Sequence, residues 1–200
     1  MKSLEPPLRK NEVERLKNLF NSTKISLKFL AYEIDLTSTE ISDSLKGKSL
    51  LEKQEKQILW ILLSHLSRAE PREKTGKLIS FRDLPGGYAY DSAFRRKAVE
   101  PISETFGNEP TRLIEAGKVL GGRVRNLGDF SVEIPSLTAI SLTYILWVQD
   151  EFPSSAKVLF DESASHFLPT EDLAVLAEIT TTRLQTANSS LRREDPAKSF

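Results

Sequence analysis

The chain has 200 residues, 39% apolar and 28% charged, with 28 basic and 28 acidic side chains and a formal net charge of zero. This is ordinary globular usage at single-domain length, and the absence of cysteine excludes disulfides, thiolate metal sites and cysteine nucleophiles. The N-terminal stretch lacks the apolar core of a signal peptide, and the longest apolar run, Ile58 to Leu63, is too short to cross a bilayer. The expected setting is therefore cytoplasmic, with no membrane association. Charge is uneven: residues 1–80 hold 15 basic and 11 acidic side chains, residues 131–187 hold 2 and 8. That small basic excess is not a nucleic-acid footprint.

Residues 1–10, with Pro6 and Pro7, read as a flexible arm. From Asn11, Val13, Leu16, Leu19 and Phe20 recur at helical spacing. Two readings then compete. Ile25, Leu27 and Phe29 alternate with polar residues, and alternation resumes at Tyr32, Ile34 and Leu36, which suits strands with a bend at Leu30-Ala31. The same residues suit a helix-turn-helix over 26–47, with Thr37 as N-cap and Glu40 as its capping-box partner.

Leu51 to Ala69 carries the broad apolar stripe of a helix. Lys77 to Phe81 reads as extended, and Leu84-Pro85-Gly86-Gly87 must turn. A helix follows from about Asp91, interrupted by Pro101, and another from Pro110 to a Gly121-Gly122 cap. Val124–Leu127 and Phe130–Ile134 flank Gly128-Asp129 as a hairpin; Leu142–Val148 and Ala156–Phe160 are further strands. Pro169-Thr170-Glu171-Asp172 opens a last helix, and the polar residues from Asn188 read as a flexible tail.

The run Leu78-Ile79-Ser80-Phe81-Arg82-Asp83-Leu84-Pro85-Gly86-Gly87 resembles a signature of the prokaryotic family catalogued as domain of unknown function 3786. In the family's order follow Ala93-Phe94-Arg95-Arg96, Leu120-Gly121-Gly122, Leu127-Gly128-Asp129, Glu151-Phe152-Pro153-Ser154-Ser155-Ala156, Leu159-Phe160-Asp161 and Leu168-Pro169-Thr170-Glu171-Asp172-Leu173. The resemblance spans roughly residues 25–187 and favours the strand reading of 25–36. It implies no established reaction. Some similar proteins are joined to a four-cysteine iron–sulfur domain, which suggests anaerobic corrinoid and one-carbon metabolism; a chain without cysteine would reach it only through a partner.

The expected fold is α+β: a small antiparallel sheet from 25–36, 124–134, 142–149 and 156–160, packed against four or five helices in one domain over 11–187, with a tail at 188–200. Four groups of residues could carry chemistry. Arg82, Asp83, Gly86 and Gly87 form a turn able to bring N–H groups to an anion, although a tight turn with Arg82 paired to a carboxylate explains the same residues. Arg95 and Arg96 open the next helix as a possible anion patch or as solvated surface. Asp150, Glu151, Asp161, Glu171 and Asp172, with His166, could hold a divalent cation or supply an acid and base; Glu171 and Asp172 are also what a helix's first turn favours. Tyr88 and Tyr90, with Trp147 and Phe152, could rim a pocket or complete a core. His65 reads as core and His166 as a loop hydrogen-bonder.

The leading functional reading is a non-enzymatic binding or accessory module. It would use Arg82–Gly87, Tyr88, Arg95, Arg96, Asp161, Thr170 and Asp172 as one polar surface for a protein partner or small anionic ligand, with no cofactor indicated. The alternatives are a DNA-binding regulator through 26–47 and a metal-dependent enzyme through the acidic cluster 150–172.

Overall fold

Alternation without a helical period over residues 26–43 has a simple outcome. In the computed structural model, which describes residues 8–20, 26–45, 53–137, 140–148 and 151–194, this segment is a three-stranded antiparallel meander of β1 (Ser26–Phe29), β2 (Tyr32–Asp35) and β3 (Ile41–Asp43). Leu27, Phe29, Tyr32, Ile34 and Ile41 turn inward from it. The helix-turn-helix is therefore incorrect for the described part of 26–47, of which residues 46 and 47 lie outside the described residues. Thr37 and Glu40 belong to the β2–β3 connection, where Asp35 Oδ1 accepts from the amides of Thr37 and Ser38 at 2.7 and 2.9 Å.

The β1–β2 hairpin turns on Leu30 and Ala31, both left-handed at φ 50° and 64°. Such a two-residue turn ordinarily calls for Asn or Gly, and an L side chain there costs roughly 1–2 kcal/mol. Two features offset that cost. Leu30 is buried in the core, and its carbonyl accepts from Arg183 Nε at 2.9 Å.

The second sheet has five strands in the order β4-β8-β7-β6-β5, all antiparallel: β4 (Leu78–Ser80), β5 (Arg123–Val124), β6 (Phe130–Leu137), β7 (Ile140–Trp147) and β8 (Ser155–Asp161). The α+β class holds. The single sheet expected from the sequence is instead two, because the meander pairs only with itself and β4 takes the edge beside β8. Central β7 is buried along both faces from Ile140 to Leu146. This accounts for its largely apolar sequence, in which even Ser141 and Thr143 are buried.

Helices cover the sheets: α1 (Lys10–Leu19), α2 (Lys53–Leu66), α3 (Gly87–Phe94), α4 (Glu100–Phe106), α5 (Thr111–Val119) and α6 (Thr170–Glu194). Helix α3 begins at Gly87, earlier than the expected Asp91, since the left-handed Gly86 (φ 76°) opens it. A π-turn over Arg95–Val99 joins α3 to α4. Pro101, which has no N–H to donate, sits at the start of α4, so the rod widens ahead of it rather than breaking. Helix α5 ends as the glycine pair demands: Gly122 N reaches Gly117 O at 2.8 Å and Gly121 N reaches Lys118 O at 3.0 Å, with Gly121 at φ 79°.

The expected tail from Asn188 is also corrected. Helix α6 continues to Glu194 with Ala187 and Asn188 buried. Packing of Leu184, Ala187 and Asn188 holds this end of the helix, and its hydroxyls are satisfied four residues back: Thr186 to Thr182 O at 2.9 Å, Ser189 to Gln185 O at 3.0 Å and Ser190 to Thr186 O at 3.1 Å. Among the described residues no helix is long and apolar enough to cross a membrane.

Two buried polar groups fasten distant segments. Arg183 Nη1 and Nη2 grip Asp43 at 2.7 and 2.6 Å in a pair whose side chains are 1% and 0% exposed, and the guanidinium lies 4.1 Å from the Tyr32 ring centroid. Asp161, at the end of β8, accepts five hydrogen bonds: from Thr75 N and Oγ1 at 3.0 Å, Gly76 N at 2.7 Å, and Ser163 N and Oγ at 3.0 and 2.6 Å.

Removing one member of the buried pair, by Arg183→Ala or Asp43→Ala, is expected to lower the unfolding free energy by about 3–5 kcal/mol. The Asp43→Leu/Arg183→Met double variant should lose less than either single change, read by urea denaturation at neutral pH. For Asp161, burial pushes the carboxyl up, but the bonds from Ser163, Thr75 and Gly76 outweigh it and hold it at about 2. The folded chain then binds fewer protons than the unfolded one between about pH 4 and pH 2. The stabilisation is complete above that window and is lost as pH falls through it, by about 2 kcal/mol. Denaturation from pH 6 to pH 2 should show a shallower acid limb in Asp161→Asn than in the native chain.

Candidate functional site

The polar loops singled out in the sequence lie on neighbouring elements, but most of their side chains already have structural partners. Asp83 Oδ2 accepts from Ser80 N at 3.2 Å and Ser80 Oγ at 2.6 Å, closing the short 3₁₀ turn Phe81–Asp83; the same bonds hold its carboxyl below the usual carboxylate range. Gly87 N donates to Leu84 O, and a Cβ on Gly87 would come within 1.9 Å of Phe81 O. The glycine therefore lets two stretches of backbone meet. The Arg82 guanidinium stands 4.5 Å over the ring of exposed Tyr88 and its charge also helps to hold the Asp83 carboxyl down. Thr170 Oγ1 donates to Pro85 O at 2.7 Å and so pins this turn to the start of α6.

Arg95 and Arg96 are exposed on the π-turn, where neighbouring Lys97 pairs with Glu178 at 3.3 Å. In the acidic group, Asp161 is consumed by Thr75, Gly76 and Ser163, Glu151 and Glu171 are exposed, and Asp150 lies outside the described residues. Among the described residues no three or more His, Asp or Glu gather as a metal site. Of the aromatics, Phe152 is exposed and Trp147 half-buried under Lys157, while Tyr90 lines a shallow groove of about 250 Å³ over Phe81 and Phe94. Those two phenylalanines stack at 4.1 Å and belong to the core.

Asp172 leads elsewhere. Its Oδ2 meets His65 Nδ1 at 2.5 Å, joining the first turn of α6 to the last turn of α2 across 107 residues. Leu59, Leu62, Leu63 and Leu66 turn the apolar face of α2 inward, which leaves His65 and Arg68 at its flank. On the other side a 3₁₀ turn, Glu162–His166, is opened by Asp161 as its N-cap and held by buried Ala164, Phe167 and Leu168. The result is a cavity of about 340 Å³ lined by His65, Arg68, Ala69, Ser165, His166 and Phe167, closing on Leu168 and Pro169. Both histidines of the chain line it.

Their hydrogen bonds decide what each ring offers. A carboxylate only accepts, so His65 donates from Nδ1, and in its neutral form the ring offers Nε2 as an acceptor. A guanidinium only donates, so His166 accepts from Arg72 Nη1 at Nε2 and carries its proton on Nδ1. The cavity thus combines a base, a neutral donor and the exposed cation Arg68. The expectation that His65 packs in the core does not hold, since 37% of its side chain is exposed; His166 is the loop hydrogen-bonder expected. The one local sign of the site was the i, i+3 spacing of His65 and Arg68, which the turn ending α2 brings together as Arg68 N bonds to His65 O at 3.0 Å.

A family model described as Domain of unknown function (DUF3786) matches residues 11–183. No curated protein and no solved structure matches the chain. The matched span runs from α1 through both sheets into α6 and takes in the cavity and the 81–87 turn, so the chain belongs to the DUF3786 family.

Proposed function

We propose that the protein is a binding module for a small organic carboxylate, held in the cavity between α2, the Glu162–His166 turn and the start of α6. The observation that carries this reading is the convergence of both histidines and Arg68 on one hollow. At about 340 Å³ the cavity lies at the lower end of ligand-site sizes, which run from roughly 300 to 1,000 Å³. Arg68 lines the cavity and Arg72 bonds to His166 beside it, so the positive charge needed by a carboxylate is at hand. The planar fork of Arg68 matches a carboxylate in two parallel hydrogen bonds. Where sequence reasoning placed the anion at Arg82–Gly87, the amide of Gly87 is engaged with Leu84 O and Asp83 with Ser80. The hollow next to Asp172 is the better supported place. Any part in corrinoid-linked one-carbon metabolism would come through a partner, because the chain offers no thiolate for a cluster.

Titration of the protein with succinate, followed by the histidine ring signals in NMR, is expected to saturate and to move both rings. Arg68→Ala should weaken succinate at least tenfold, whereas Arg95→Ala should leave it unchanged. Ring signals that stay still at millimolar succinate would refute the assignment.

A further inference from the structure

We infer that the same cavity hydrolyses small carboxylic esters bearing a second, ionised carboxylate, with His65 as general base; this rests on the carboxylate-binding reading above. Binding alone would be served by cations and donors. The cavity also holds an imidazole whose tautomer is set by a carboxylate: Asp172 fixes the proton of His65 on Nδ1 and leaves Nε2 with its lone pair. The cavity is also lined by a ring of the opposite polarity, His166, whose Nε2 is taken by Arg72 and whose Nδ1–H can donate. A base, a neutral donor and a cation around one hollow are the groups needed to activate water, receive a developing oxyanion and hold an anionic substrate.

The nucleophile is water. The chain has no cysteine, and the single hydroxyl among the lining residues, Ser165, is turned to Glu162 O at 3.4 Å. In the proposed step an O–H bond of water breaks as its proton passes to His65 Nε2, and the water oxygen bonds to the ester carbon. The carbonyl electron pair moves onto oxygen, which accepts from His166 Nδ1–H, while Arg68 holds the distal carboxylate. The intermediate then collapses with cleavage of the bond to the alcohol oxygen, which takes the proton back from His65. Ester and water give acid and alcohol, with no other reactant. Asp172 acts through His65 and is a positioning residue.

The test uses monoethyl succinate as probe with the full chain, hydrolysis being followed by proton NMR against the same concentration of free imidazole. Saturable turnover above imidazole is expected, with kcat lowered about 10²–10⁴-fold in His65→Gln. Asp172→Asn should lower kcat more than it changes KM and should alter the pH profile of kcat. Ethyl butyrate, which lacks the distal carboxylate, should be a much poorer substrate. Three results would overturn the proposal: turnover no faster than imidazole, a His65→Gln variant as active as the native chain, or equal kcat/KM for the two esters. If succinate binds but monoethyl succinate is not turned over, only the hydrolytic assignment falls; if succinate does not bind, the carboxylate site falls with it.

Discussion

The architecture depends on a guanidinium with almost no access to water. Arg183, in the middle of α6, reaches Asp43 with two nitrogens and Leu30 O with the third, and stacks on Tyr32. All three partners belong to the meander. Without these bonds the small sheet would keep its apolar face and the bond from the Tyr32 hydroxyl to Glu55 of α2, but its left-handed, glycine-free turn would lose a hydrogen bond that offsets its strain. Burying a charge is tolerable only when every donor is satisfied. Arg183 meets that condition by drawing β1–β2, β3 and α6 to one point.

Helix α6 carries this role along its length. Thr170 holds the Pro85 carbonyl, Asp172 holds His65, Thr181 Oγ1 donates to Ala98 O in the π-turn at 2.8 Å, Gln185 meets Thr105 at 2.9 Å, and Arg192 meets Glu109. Tyr144, from the centre of β7, places its hydroxyl against Ala177 O and Thr181. A helix tied at so many points is a rigid support, which is what a site needs from the elements that present it. Pro169, just ahead of its first turn, lines the two-histidine cavity. Another wall is set by Asp161, whose N-cap bond to Ser163 N opens the 3₁₀ turn leading to His166. Several polar residues that stand out in the sequence thus work beneath the site rather than in it.

What could be read from the sequence follows from the range of the interaction involved. The stripe of α2, the acidic opening of α6, the Gly121-Gly122 cap and the strands β6 to β8 are set by neighbours in the chain, and their periods appear directly. Other features do not show in such periods. Leu30-Ala31 lacks the Asn or Gly of a tight hairpin because a carbonyl contact from Arg183, 153 residues away, helps to hold it. The polar residues after Asn188 look like a tail until their hydroxyls are seen to bond within the helix. His65 lies among leucines, and nothing local reveals that Asp172 stands against it. The cavity was illegible for the same reason: its base, donor and cation come from segments about a hundred residues apart.

Two of the ionisable pairs on helix α6 differ in character, and their contrast bears on function. The Arg183–Asp43 pair is dry, with side chains 1% and 0% exposed, so loss of either partner strands a charge in the core. The His65–Asp172 pair is partly wet, with side chains 37% and 14% exposed. Water screens such a contact and can replace either partner, so as a fastening it contributes little. Leu59, Leu62, Leu63 and Leu66 already hold α2 to the core. What the wet pair does accomplish is directional: it holds one ring in one tautomer at the edge of a hollow, with its second nitrogen left to a ligand.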